Sequence, residues 1–225
     1  MYESVINAYI DKVEMLAHLG KEKFLYNSLR YFGRPTRTDL RNAEYILRLP
    51  PVNMAAGLAP RHDVQMAKDK FERALTDYGL DGRIKVDPNM VADVMVLNSS
   101  QTVVLKESAR FTAKQLNYLI EHEIGVHMVT TMNALIQPLQ IFNIGLPVNT
   151  KTQEGLAVMA EYLSGNITLS RLRKFALRVL AVDAMCNGAT FRECFDLLAG
   201  KWEVPEDDAF TIVTRVYRGG GFTKD

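Results

Sequence analysis

The hydrophobic period of the chain changes twice, and that order constrains the fold more than any other feature of the sequence. Up to Asp81-Gly82, apolar residues recur three and four apart. "YESVINAYIDKVEMLAHL", "KFLYNSLRYFG", "DLRNAEYILRLP" and "HDVQMAKDKFERALTDYGL" each carry such a stripe, and a glycine and a proline stop the second and third. After Gly82 the runs become short and β-branched: "RIKVD", "ADVMVLN" and "QTVVLKE", with Ser99-Ser100 as a hairpin turn between the last two. Helical spacing returns in "AKQLNYLIEHEIGVHMVTTMNAL", where Thr112 followed by Gln115 forms a capping-box signature. Helices, then a small antiparallel sheet, then helices again is an α+β order, mostly helical. The expected parts are an N-terminal helical region over 1–82 and a core over 83–225, forming one compact unit.

The second half continues as helices. A turn-rich loop, "IQPLQIFNIGLPVNTK", leads to Thr150 or Thr152 as the cap of "QEGLAVMAEYL", which stops at Ser164-Gly165-Asn166. "LSRLRKFALRVLAVDAMC" reads as one long helix. Thr190 with Glu193 caps "FRECFDLLAG", and Pro205 opens "EDDAFTIVTRVYR".

With 225 residues, 48% of them hydrophobic, the chain is long enough to bury a sizeable core. Its formal net charge is +1, so no global field points to nucleic acid or to a membrane surface. The first twenty residues carry charges throughout and do not read as a signal peptide. No apolar run reaches the ~20 residues of a membrane span. Cys186 and Cys194 read as reduced thiols. These features together lead to the expectation of a soluble, cytoplasmic protein.

The chemistry is concentrated in "LIEHEIGVHMV". His122 and His127 stand five apart, with Glu123 directly after the first. On a regular α-helix such histidines diverge by about 140°, too far round to share one metal ion. A π-type bulge absorbs one residue and returns His127 to the place an i+4 histidine would take. Gly125 lies inside the interval, where a residue without a side chain lowers the cost of distortion. Glu123 would then project beside the metal, where a general base belongs. An undistorted helix with two partly exposed histidines is the plain alternative.

A catalytic zinc needs a third protein ligand. Glu154 in "TQEGLAVMAEY" follows His127 by 27 residues, across the turn-rich loop. It is expected in the first turn of a capped helix, where the dipole favours a carboxylate. Alone it reads equally as a helix-end carboxylate; beside the His-Glu-His helix it reads as a ligand. Glu161, seven residues on, could hydrogen-bond a ligand histidine from behind. His18 and His62 fall on helical segments without ligand-type partners at useful spacing.

"HEIGVH" followed by "TQEGLA" resembles the QEGLA-motif family of bacterial proteins, whose animal relatives include the microtubule-associated tyrosine carboxypeptidases. The ending "RVYRGGGFTKD" is similar to that family as well. The resemblance spans roughly residues 85–225, and the N-terminal helices only loosely. It implies a zincin-like metallopeptidase core with one zinc ion per chain, bound by His122, His127 and Glu154, and with Glu123 as the base. It further implies a carboxypeptidase that removes a C-terminal, tyrosine-like residue from a peptide or protein. Family members continue past the corresponding threonine-lysine-aspartate, so this chain is expected to be a catalytic core or a short form.

A carboxypeptidase must meet a free carboxylate with a cation, and arginine can pair both oxygens. Arg215 and Arg218 in "TRVYRGGG" are the candidates, with Lys224 behind them; neutralising the carbonyls of their own helix end is the ordinary use of such residues. One strand of "DVMVLNSSQTVVL" is expected to align an extended peptide. Arg171, Lys174 and Arg178 form a basic stripe, either a solvated helix face or a dock for acidic protein tails. A carboxylate-bridged di-iron bundle would need paired E-x-x-H motifs on two helices, and the sequence has none. A zinc-holding regulatory or interaction module without turnover would use the same ligands, but a purely structural site more usually closes with four protein ligands.

Overall fold

The computed structural model describes residues 2–50, 61–90, 92–139, 141–144 and 149–218. In chain order the elements are α1 (Tyr2–Ala17), α2 (Phe24–Phe32), α3 (Arg37–Arg48), β1 (Arg61–His62), α4 (Val64–Asp77), β2 (Arg83–Asp87), β3 (Val94–Leu97), β4 (Thr102–Lys106) and β5 (Phe111–Thr112). There follow α5 (Ala113–Ile120), a π-helical segment (Glu121–Met128), α6 (Val129–Leu135), α7 (Ile141–Ile144), α8 (Thr150–Leu163), α9 (Leu169–Cys186), α10 (Phe191–Asp196), a second π-helical segment (Leu197–Lys201) and α11 (Glu206–Tyr217). The α+β order read from the period changes is present, and the described residues are mostly helical.

Packing divides the chain after residue 52 and again after 167, so that 1–52 and 168–225 form one compact unit and 53–167 the other. The division expected at Gly82 follows the change of period, whereas packing joins α4 to the strands behind it. In the first unit, Ala43 and Leu47 of α3 meet Ala176, Leu177 and Ala181 of α9, and Val213 and Val216 of α11 complete the core. Arg173 ties these elements further by donating to the Leu47 and Leu49 carbonyls at 2.7 and 3.2 Å.

In the second unit, α4 covers a three-stranded sheet of order β2-β4-β3. β3 and β4 form the expected hairpin, with Val94 opposite Leu105 and Leu97 opposite Thr102. A 3₁₀ turn over Asn98–Ser100 and Gln101 in the left-handed region (φ 45°) close it. The expectation of a wholly antiparallel sheet is corrected here: β2 runs parallel to β4, Arg83 opposite Thr102 and Asp87 opposite Lys106. The reason lies in β4, where Thr102, Val103, Val104 and Leu105 are all buried. A strand buried on both faces is most stable as the central one, and β2 fills the edge that the hairpin leaves open. A second, two-stranded pairing sets Arg61 and His62 antiparallel to Thr112 and Phe111. His62, expected on a helix, therefore lies on a strand.

Phe71, Val103, Leu105, Leu116, Ile124 and Met128 form the centre of this unit. Ile124 and Met128 belong to the π-helical segment, so one face of that segment is fastened in the core while another is left for chemistry. Among the described residues no helix is long and apolar enough to cross a membrane.

Candidate metal centre

The helix opened by the Thr112–Gln115 capping box, both of whose bonds form, does not remain α-helical. From Glu121 to Met128 its bonding is π-type, and the Val129 amide still reaches back five residues to the Ile124 carbonyl. The distortion is thus longer than a single-residue bulge. Its consequence is the one the five-residue spacing demands: the His122 and His127 rings lie together, centroids 4.9 Å apart and planes inclined by 72°.

Gly125 serves the distortion differently from expectation. Its φ is not in the left-handed region, so conformational freedom is not what glycine provides here. A Cβ at this position would lie 2.8 Å from the Tyr78 hydroxyl oxygen and 3.4 Å from Glu121 Oε2. Glycine provides space. Tyr78, which caps the C-terminus of α4, donates its hydroxyl to Glu121 Oε2 at 3.0 Å. Burial raises the pKa of this phenol above its ordinary value, and the hydrogen bond and the charge of Glu121 add to the shift, so it remains a donor at neutral pH. Tyr78 is a residue the sequence reading missed. It stands 43 positions before Glu121, and no spacing rule connects the end of one helix to the middle of another.

α8 packs against the π-helical segment and brings in two carboxylates. Glu154 Oε2 is 3.7 Å from His122 Nε2, and its Oε1 is 3.9 Å from His127 Nε2. One nitrogen or oxygen from each of His122, His127 and Glu154 can be chosen so that all lie within 4.8 Å of one another. A tetrahedral zinc with ligands about 2.1 Å away would hold them about 3.4 Å apart; the Glu154 contacts at 3.7 and 3.9 Å are close to that, and the widest pair, within 4.8 Å, would close by at most about 1.4 Å. The expected reason for Glu154 is corrected: α8 starts at Thr150 with Asn149 before it, no side chain caps it, and its first turn holds no acidic residue. Thr150 and Thr152 lie within the helix. Glu154 is placed by the packing of α8 rather than by a helix dipole.

Glu161 is fully buried, and its Oε1 accepts from His122 Nδ1 at 2.8 Å. A buried carboxylate is costly unless a partner compensates it. With the Nδ1 proton held by Glu161, the His122 Nε2 lone pair is left to face Glu154, the tautomer a metal ligand requires. The two histidine side chains are 12% and 13% exposed, while Glu154 is 35% exposed, so the donor set opens toward solvent on the Glu154 side. Glu123 follows His122 on the π-helical segment and is half-buried.

The remaining candidates lie apart from this set in the chain. Arg215 is half-buried in the last turn of α11, and Arg218 is the exposed cap of that helix, its amide bonded to the Thr214 carbonyl. Both belong to the unit of 1–52 and 168–225, and Lys224 falls outside the described residues. Of the basic stripe, Arg171 stacks over Phe175 at 4.6 Å, Lys174 is exposed with Asp208 at 3.8 Å, and Arg178 is half-buried. His18 bonds the Glu14 carbonyl through Nδ1 at 2.7 Å, as a packing histidine would.

The family model described as microtubule-associated tyrosine carboxypeptidase matches residues 1–225. The chain belongs to this family. The match includes the N-terminal helices, which the motif resemblance reached only loosely. Membership in the tyrosine carboxypeptidase family places the chain, in the coarse sense, among peptidases acting on protein or peptide substrates. Comparison with individual curated proteins gives no match.

Proposed function

We propose that the protein is a zinc-dependent metallocarboxypeptidase with a zincin-like core, acting on the C-terminus of a peptide or protein in the cytoplasm. The observation that carries this reading is the convergence of His122, His127 and Glu154 across two helices, with the buried Glu161 behind His122. Two imidazoles and one carboxylate make a three-ligand donor set, which leaves one tetrahedral position for chemistry. Zinc bound there would supply Lewis-acid polarisation of the scissile carbonyl and lower the pKa of a coordinated water.

The chain's own groups do the rest. Glu161 fixes the tautomer and orientation of His122 through Nδ1. Glu123, next to His122 in the chain, is the proposed base that takes the proton of the attacking water and passes it to the departing amine. β3 is an outer strand of its sheet and packs against the π-helical segment. Its outer edge, unpaired among the described residues, suits an extended substrate backbone added as a further strand. Arg218, with Arg215, is the proposed partner of the substrate carboxylate, and the tyrosine-like preference follows from the family alone.

Metal content measured after purification without added metal tests the reading. One zinc per chain in the wild type, lost in His127→Ala and in Glu154→Ala, is the expected result. Two irons per chain, or zinc retained in both variants, would overturn it. Zinc retained by a wild type that cleaves no member of a peptide library would instead support a zinc-holding interaction module.

A further inference from the structure

The π-helical register is the condition on which the candidate metal centre depends, and three residues outside the donor set meet on it. Glu121 opens the segment, Gly125 lies one turn on, and the two flank His122 in sequence. Tyr78 comes from the end of α4, whose Ala67, Phe71, Ala74 and Leu75 are buried in the core of the same unit. Its hydroxyl bonds Glu121 at 3.0 Å while occupying the space a side chain at 125 would need. Real Cβ atoms essentially never approach another atom to 2.8 Å, so Tyr78 and any side chain at 125 exclude each other in this arrangement. A helix end anchored in the core thus grips the distorted turn at its first residue, Glu121.

We propose that Tyr78 is a positioning residue for the metal centre: it clasps Glu121 across Gly125 and holds the helix in the register that sets His127 beside His122. The inference rests on the metal-centre reading and deepens it. Without the clasp, the segment can relax toward ordinary α-helical bonding, which carries His127 round the helix and away from His122. In this scheme Tyr78 acts on Glu121 and Gly125, and its effect reaches the ligands through the backbone of the segment.

The test is a double-mutant cycle read as zinc affinity by chelator competition, with the absorption spectrum of the cobalt(II)-substituted protein reporting ligand geometry. Circular dichroism confirms folding of each variant. Tyr78→Phe is expected to weaken zinc binding about tenfold, the low end of the loss seen when a group supporting metal ligands is removed, and to alter the cobalt spectrum. Gly125→Ala is expected to weaken it by at least as much in the wild-type background and by much less in a Tyr78→Ala background, where the new methyl meets no hydroxyl. Unchanged zinc affinity and cobalt spectrum in Tyr78→Phe, or an equal cost of Gly125→Ala in both backgrounds, would overturn the clasp while leaving the metal centre standing. A wild type that binds no metal would remove the metal centre, and the clasp with it. If Gly125→Ala fails to fold, Tyr78→Phe and Glu121→Gln decide the matter alone. The first removes the donor hydroxyl, the second keeps the local volume but replaces the charged acceptor by a neutral one, and each is expected to weaken zinc binding.

Discussion

Glu161, with no solvent exposure, accepts the Nδ1 proton of His122 at 2.8 Å and leaves Nε2 directed at Glu154. The buried carboxylate and the half-exposed one act on the two nitrogens of a single imidazole. One orients the ring, and the other faces its free lone pair across 3.7 Å, the arrangement on which the proposed metal centre rests.

This pairing makes Glu161→Gln an informative change. The amide keeps the volume and can still accept from Nδ1, but it withdraws the negative charge that strengthens His122 as a ligand. Zinc affinity is expected to fall about 10–100-fold, with little change in melting temperature. Glu161→Ala should also lower stability by about 1–3 kcal/mol, because the Nδ1 donor loses its buried partner. Equal zinc affinity in wild type and Glu161→Gln, measured by chelator competition, would remove Glu161 from the centre.

Glu123→Gln separates binding from turnover. An amide cannot take a proton from water, so kcat on a cleavable peptide should fall by about 10²–10⁴-fold. Zinc content should stay at the wild-type level, because Glu123 is not among the donors. A variant that holds zinc and cleaves at the wild-type rate would show that the base is another group.

Reading of the substrate's end is tested with paired peptides, one with a free C-terminal carboxylate and one amidated. Wild type should cleave the free form far better, and Arg218→Ala should lose most of that preference through a higher KM. If wild type treats the two peptides alike, the enzyme is an endopeptidase and Arg218 serves only its helix end.

Alkaline pH should weaken the fold through the unit of 1–52 and 168–225. Burial pushes the Cys194 thiol up to about 11. The Tyr217 hydroxyl, donated to the Ala189 carbonyl, is pushed up to about 12, by burial first and then by Cys194, Glu193 and Cys186. Both groups are neutral when protonated, and the folded chain keeps their protons after the unfolded chain has released them. Stability is therefore unaffected below about pH 8.5 and falls as pH rises from there through about 11. Urea midpoints at pH 7, 8, 9.5 and 10.5 should show this decline, and Cys194→Ala should flatten its earlier part. Midpoints equal at pH 8 and 10.5 would contradict it.

Much of the protein is decided locally and was legible for that reason. The capping boxes at Thr112–Gln115 and Thr190–Glu193 form as the side chains alone require, since each bonds a backbone group three residues away. The β3–β4 hairpin follows from two β-branched runs on either side of a short turn. The five-residue interval between His122 and His127 already demanded a distorted helix if the two were to meet, and the helix is π-helical there. What sequence could not decide depends on contacts between segments far apart in the chain. The place of β2 is set by the edge that β4 leaves open, and its parallel direction is not encoded in so short a strand. Glu154 owes its place to the packing of α8, and the space at Gly125 is claimed by a tyrosine 47 positions earlier. The division of the chain after 52 and 167 brings two distant segments into one core. Spacing along one helix is fixed by its own geometry, whereas the meeting of two helices depends on how the whole unit buries its apolar faces.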